Sequence, residues 1–155
     1  MKEVLVLGIG NRLMMDDGIG VYVVEELKKR NTNPGIQYVI GETDIYFCLN
    51  HIEKSSYTII VDAAFFDKEP GTISTFPLEQ VFKNPIQPIS VHDSYLLNEI
   101  KMRGKGIEGV FIGIEPHEVN YCPNLSTNLQ EKFIKVVEKI ESIIVSLHAE
   151  KQPPM

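Results

Sequence analysis

Cysteine is scarce in this chain: Cys48 and Cys122 are the only two among 155 residues, and no C-x-x-C joins them. A disulfide framework and a thiolate zinc site are therefore both excluded, and the two thiols are read as small apolar fillers. Long apolar runs are missing as well. No stretch approaches the ~18 residues of a membrane-spanning helix, and the N-terminus has no basic region leading into an apolar segment and a small-residue cleavage site. The expectation is a cytoplasmic protein with no membrane insertion. Positive charge is the minority sign: 15 Lys and Arg face 21 Asp and Glu, for a formal net charge of -6 and a pI near 5.2. That is not the basic footprint a nucleic acid or an anionic membrane requires, so no nucleic-acid partner is expected. Also absent are a G-x-S-x-G elbow, a Gly-Lys-Ser/Thr phosphate loop and an H-E-x-x-H pair. No internal repeat, low-complexity block or linker divides the chain.

What is present is an ordinary globular composition, 43% apolar and 23% charged. It is enough for one core and too short for two, so a single α/β domain is expected over residues 1–148, followed by a flexible tail at 149–155. The most informative stretch is Val4 to Gly20. Its apolar run Val4-Leu5-Val6-Leu7 is too brief for a helix and ends in Gly8-Ile9-Gly10, the pattern of a parallel strand buried on both faces with a sharp exit turn. Asp16 and Asp17 then fall at the carboxyl edge of that strand, where open α/β sheets place their ligands. Ile19, Val23, Val24 and Leu27 repeat at helical spacing, and either Asp is placed to cap that helix.

The pattern recurs along the chain. A second strand is expected over Gln37 to Gly41, a short helix over Ile45 to Ile52, and a β-branched third strand over Tyr57 to Asp62. Asp67 to Gly71 is a turn and Thr72 to Phe76 a shorter strand nearer a sheet edge. A loop carrying Pro77, Pro85 and Pro88 follows, then a helix begun by Ser90 as cap with Asp93 reaching back, and ended by Gly104. Gly109 to Ile114 is the last strand, running into Glu115-Pro116-His117-Glu118. Thr127 and Gln130 form a capping box for a long helix whose buried face runs from Leu129 to Leu147. Alternation of this kind predicts a three-layer α/β sandwich, a mostly parallel twisted sheet of about five strands with helices on both faces.

Gly8-x-Gly10 suggests a dinucleotide fold, but the fingerprint needs a third Gly three residues on and Leu13 stands there. What remains is a set of hard and borderline ligands on consecutive carboxyl edges: Asp16 and Asp17 after the first strand, Asp62 ending the third, and His92 on the loop after the fourth. Two carboxylates and an imidazole suit a divalent transition metal and leave coordination positions open. Taken singly, each reads equally as a helix cap, a turn residue or a surface histidine. Taken together they are brought to one side of the sheet by the topology.

Gly8-x-Gly10-Asn11-x-Leu13-x-x-Asp16-Asp17-Gly18-x-Gly20 resembles the opening signature of the hydrogenase maturation proteases, endopeptidases that trim the large subunit of nickel-iron hydrogenases. The resemblance continues through Val61-Asp62-Ala63, Pro70-Gly71-Thr72, Ser90-x-His92 and Gly113-Ile114-Glu115-Pro116, nearly the whole chain. It implies nickel binding by Asp17, Asp62 and His92, and removal of a C-terminal extension from a large-subunit precursor. The nickel is supplied by that precursor and recognised there; no organic cofactor is implied, and a monomer is expected. Where relatives often carry Gly-Gly-Thr after the second strand this chain has Gly41-Glu42-Thr43, which alters a substrate-contacting loop. Two other readings stay open from the residues: a nucleotide- or cofactor-binding α/β module, and a non-catalytic chaperone that checks nickel loading.

Overall fold

A computed structural model describes residues 3–83, 91–102 and 106–152, with Phe82 and residues 91–95 described in backbone only. Strand β1 (Val4–Ile9) is buried at every position, as a central strand between two helical layers must be. A 3-10 turn (Met15–Gly18) leads into α1 (Ile19–Arg30), and β2 (Ile36–Glu42), α2 (Ile45–Lys54) and β3 (Tyr57–Ala63) follow. Next come β4 (Ile73–Pro77), α3 (Leu78–Lys83), α4 (Val91–Met102), β5 (Gly109–Ile114) and α5 (Thr127–Lys151). The sheet order is β2-β1-β3-β5-β4. Strands β2, β1, β3 and β5 are parallel, and β4 is antiparallel to β5 at the edge.

Alternation along the strands divides the core in two. Val4, Val6, Ile59 and Val61 point to α1 and α5, where Val24, Leu27, Val137 and Ile144 meet them. Leu5, Leu7, Ile9 and Ile60 point the other way, to Leu49 and Ile52 of α2, Leu78 and Val81 of α3, and Leu96 and Ile100 of α4. The three-layer sandwich expected from the sequence is the observed one. No helix among the described residues is long and apolar enough to cross a membrane.

Four expectations are corrected. Residues 78–83 form α3 instead of a loop, because Leu78 and Val81, three apart, bury against the second core. The long helix is capped one residue early: the Ser126 hydroxyl accepts the Leu129 N–H, while the Gln130 side chain donates to the Leu125 carbonyl. Ala149 to Lys151 continue α5 and do not begin a tail. Lys151 pairs with Glu108 and lies 4.7 Å over the Tyr57 ring, which ties down that last turn. Asp16 and Asp17 do not cap α1, whose cap position is Gly18 with no side-chain bond. Ser90, Pro85, Pro88 and Gly104 lie outside the described residues, as does the side chain of Asp93.

The seating of α1 on the sheet depends on two glycines. A Cβ on Gly8 would stand 2.7 Å from the Gly20 carbonyl oxygen and 2.8 Å from Val24 Cβ. A Cβ on Gly20 would overlap the carbonyl oxygen of Val61 and lie 2.8 Å from that of Ile9. The first turn of α1 thus rests on the ends of β1 and β3, a distance no other residue permits. Gly20→Ala is expected to lower stability by about 1–3 kcal/mol through overpacking against backbone, measured by urea unfolding. Gly106→Ala, where a Cβ meets nothing within 4 Å, should stay within about 0.5 kcal/mol of the parent.

Candidate functional site

Asp62 is the sixth residue of β3, one beyond Val61, which pairs with Gly8 of β1. Asp17 lies in the 3-10 turn, three residues before the Gly20 that touches Val61. The two acids are therefore delivered to the same carboxyl edge by adjacent parallel strands, and both are buried. Each is oriented by backbone: Asp17 Oδ2 accepts the Asn11 N–H at 3.0 Å, and Asp62 Oδ1 accepts the N–H of Ala63 at 2.8 Å. The loop between β1 and the turn is held by close approach. Gly10 adopts φ 133 where a side chain would overlap the Asp17 carbonyl, and a Cβ on Gly18 would stand 2.7 Å from Arg12 Cα.

Asp16 does something different. Its Oδ2 accepts from the backbone N–H groups of His117 and Glu118, both at 2.9 Å, and from the Ser126 hydroxyl at 2.7 Å; its Oδ1 accepts the Ser126 N–H at 2.8 Å. Fully buried, it is the clasp that fastens the 115–126 segment over the signature loop. Backbone bonds from Asp16 to Glu118, from Met15 to Cys122 and from Cys122 to Leu13 complete the seam. Glu115, also buried, accepts the Phe66 N–H and links the ends of β5 and β3.

His92 is in the first turn of α4 and not on a loop, and its side chain lies outside the described residues. The helix packs on α2 and leads into β5 at the amino edge, so chain direction sets its first turn toward the carboxyl edge. Among the described residues no three His, Cys, Asp or Glu side chains form a metal-holding group.

Gly41-Glu42-Thr43 flanks the same edge. Gly41 is the extra residue where the β1–β2 register shifts, and a Cβ on it would stand 2.5 Å from Cys48 Sγ. Glu42 has φ 51, a conformation that favours glycine, at the position where the resemblance expects a second Gly. Its carboxylate takes the Arg12 guanidinium at 2.8 Å, and Glu25 takes the same group at 3.2 Å. Those ion pairs outweigh the desolvation of Arg12 and raise its pKa. Asn11, Arg12, Glu115 and the clasp by Asp16 went unassigned in the sequence; the short spacing Asn11 to Asp17 was the one signal, since a loop that tight must bond to itself.

Cys48 is buried and its thiol is pushed up to about 12, chiefly by burial and further by the nearby charge of Asp44, in keeping with an apolar filler. Cys122 is exposed, so the same reading fails for it: its backbone, not its side chain, is the part engaged.

Comparison with known proteins bears on this edge. A family model described as hydrogenase maturation protease, HycI, matches residues 21–147. The chain is 32% identical over 147 residues to a Methanocaldococcus jannaschii protein provisionally named a hydrogenase maturation protease, covering 93% of this chain and 95% of the relative. Its fold is similar to that of the hydrogenase maturating endopeptidase HybD from E. coli, with a TM-score of 0.79, 24% identity and 93% of each chain covered. It is similar also to the nickel-iron hydrogenase maturation protease HybD from Thermococcus kodakarensis, with a TM-score of 0.68, 29% identity, and 91% and 98% of the two chains covered.

Two outcomes follow from the clasp and the thiols. Asp16→Asn turns an amide N–H₂ toward donors and should cost about 1–3 kcal/mol in denaturant unfolding; a loss of only a few tenths would restore the capping role, for which Asn serves as well as Asp. In the folded protein at pH 8 a thiol reagent should modify Cys122 promptly and Cys48 only on unfolding, because burial holds the Cys48 thiol protonated.

Proposed function

This chain belongs to the hydrogenase maturation protease family, and on that premise we propose that it removes a C-terminal extension from a nickel-loaded hydrogenase large-subunit precursor, with the bound nickel as the feature it recognises. The observation that supports this most is the pair of buried carboxylates, Asp17 and Asp62, delivered to one edge by the turn after β1 and by the adjacent strand β3, against which two glycines seat the start of α1. Two carboxylates suit a borderline divalent cation, and an imidazole from His92 would complete a facial set with open positions for the substrate's own ligands.

The nickel belongs to the substrate, and no organic cofactor takes part. When bound, such an ion polarises a carbonyl or lowers the pKa of a water, which supplies peptide hydrolysis without a serine or cysteine nucleophile. What the chain itself contributes is orientation. The Asn11 and Ala63 N–H groups fix the two carboxylates, so a precursor docked on them presents one particular peptide bond. The loop Gly41-Glu42-Thr43, braced by Arg12, contacts the chain beside that bond and takes part in choosing the substrate. The protein acts in the cytoplasm as a monomer.

Asp17→Asn and Asp62→Asn should each lower processing of nickel-loaded precursor by at least about a hundredfold while leaving the unfolding midpoint near that of the parent. Nickel-free precursor should remain uncut when nickel is given to the protease first, and be cut when the precursor is loaded first, read by precursor mass. Equal cleavage of loaded and unloaded precursor would leave an ordinary peptidase in place of a metal-gated one.

A further inference from the structure

Exposed large apolar side chains on this protein are not scattered. Of the eight among the described residues, Leu13, Tyr46, Phe47, Phe65 and Tyr121 follow the carboxyl ends of parallel strands, and only Met102, Ile134 and Val145 lie on helices elsewhere. Leu13 is on the loop after β1 and 63% exposed; Tyr46 and Phe47 open α2 after β2; Phe65 follows β3; Tyr121, 92% exposed, follows β5. These segments are joined. The Cys122 N–H donates to the Leu13 carbonyl, which sets Tyr121 beside Leu13, and the Gly10 N–H donates to the Glu42 carbonyl, which ties the β1 loop to the segment leading to Tyr46.

The sheet order gives the layout its meaning. Across β2-β1-β3 the sequence of groups is Tyr46 and Phe47, then Leu13 with Asp17, then Asp62 with Phe65. Two acids in the middle are flanked by apolar groups on both sides. Two strand spacings span roughly 10 Å, the length of about three extended residues. Exposed apolar groups gathered at one edge beside a polar centre mark a contact surface, and their aromatic content is that of an interface centre.

We propose that Leu13, Tyr46, Phe47, Phe65 and Tyr121 form a docking rim for a short extended segment of the precursor chain, with apolar side chains on either side of the bond presented to Asp17 and Asp62. The inference rests on the function proposed above, and commits to the precursor because all five residues stand at the sheet edge that carries the two acids. The rim supplies affinity; the acids supply the chemistry. Apolar contact then favours apolar flanking residues, beside the choice made by the Gly41-Glu42-Thr43 loop.

Two measurements separate this inference from the reading it rests on. The first is cleavage of nickel-loaded precursor by the parent protein; its absence overturns the proposed function. The second is binding of labelled precursor by fluorescence anisotropy to the pairs Leu13→Ser/Tyr121→Ser and Tyr46→Ser/Phe65→Ser, against the control Ile134→Ser/Val145→Ser on the exposed side of α5. Each rim pair should weaken the dissociation constant about tenfold or more, with KM rising in parallel and kcat little changed, and the control should match the parent. Rim variants that bind like the control overturn the docking rim whether or not the parent cleaves, and so does a parent that binds no precursor at all. Because all these positions are exposed, unchanged melting curves verify that affinity and not folding has moved.

Discussion

Everything at the carboxyl edge depends on how closely the first turn of α1 lies against the strands. Gly20 rests on the Val61 carbonyl and Gly8 on the Gly20 carbonyl, with no room for a Cβ at either. One contact therefore sets both the packing of α1 on β1 and the approach of the turn bearing Asp17 to the end of β3 bearing Asp62. Packing and chemistry are not separable here. The helix could be seated against the sheet by apolar contacts alone, as α5 is, but a side chain at either glycine would hold its first turn off the strand ends.

Two neighbouring aspartates divide the work. Asp17 accepts the Asn11 N–H of its own loop at the carboxyl edge; Asp16 receives four hydrogen bonds from a segment about a hundred residues away in sequence. A carboxylate so fully served is a structural anchor, and breaking it leaves several buried donors unpaired. It fastens the segment bearing Tyr121 over the β1 loop, and so holds the shape of that side of the edge.

The architecture was legible because buried strands and amphipathic helices write different periods: the fully apolar Val4–Leu7, the β-branched Tyr57–Val61 and the stripe of α5 each appear as expected. The short α3 was hidden behind Pro77, since six residues are fewer than two helical turns and too short for a periodic stripe. The end of α5 was hidden because Lys151 and Glu108 meet through tertiary structure. At the site, the ends of strands were predictable from hydrophobic runs that stop in acids, which placed Asp17 and Asp62 together. The role of Asp16 was not, since a cap and a clasp both demand a short acid at the start of a helix, and only the distant backbone donors distinguish them. Leu13, read as the residue that breaks a dinucleotide fingerprint, turns out to have a surface of its own; no local signal announces that an apolar residue will be left exposed.

The proposed function gives this edge one task, to meet a metal that arrives within another protein. Its most direct test is nickel K-edge absorption of a nickel-loaded precursor, blocked at the scissile bond, alone and in complex with this protein. Added oxygen and nitrogen scatterers at about 2.0–2.2 Å are expected on complex formation, with that gain lost in Asp17→Asn despite retained binding through the apolar rim. A nickel spectrum that is the same in the free precursor and in a demonstrated complex would contradict it.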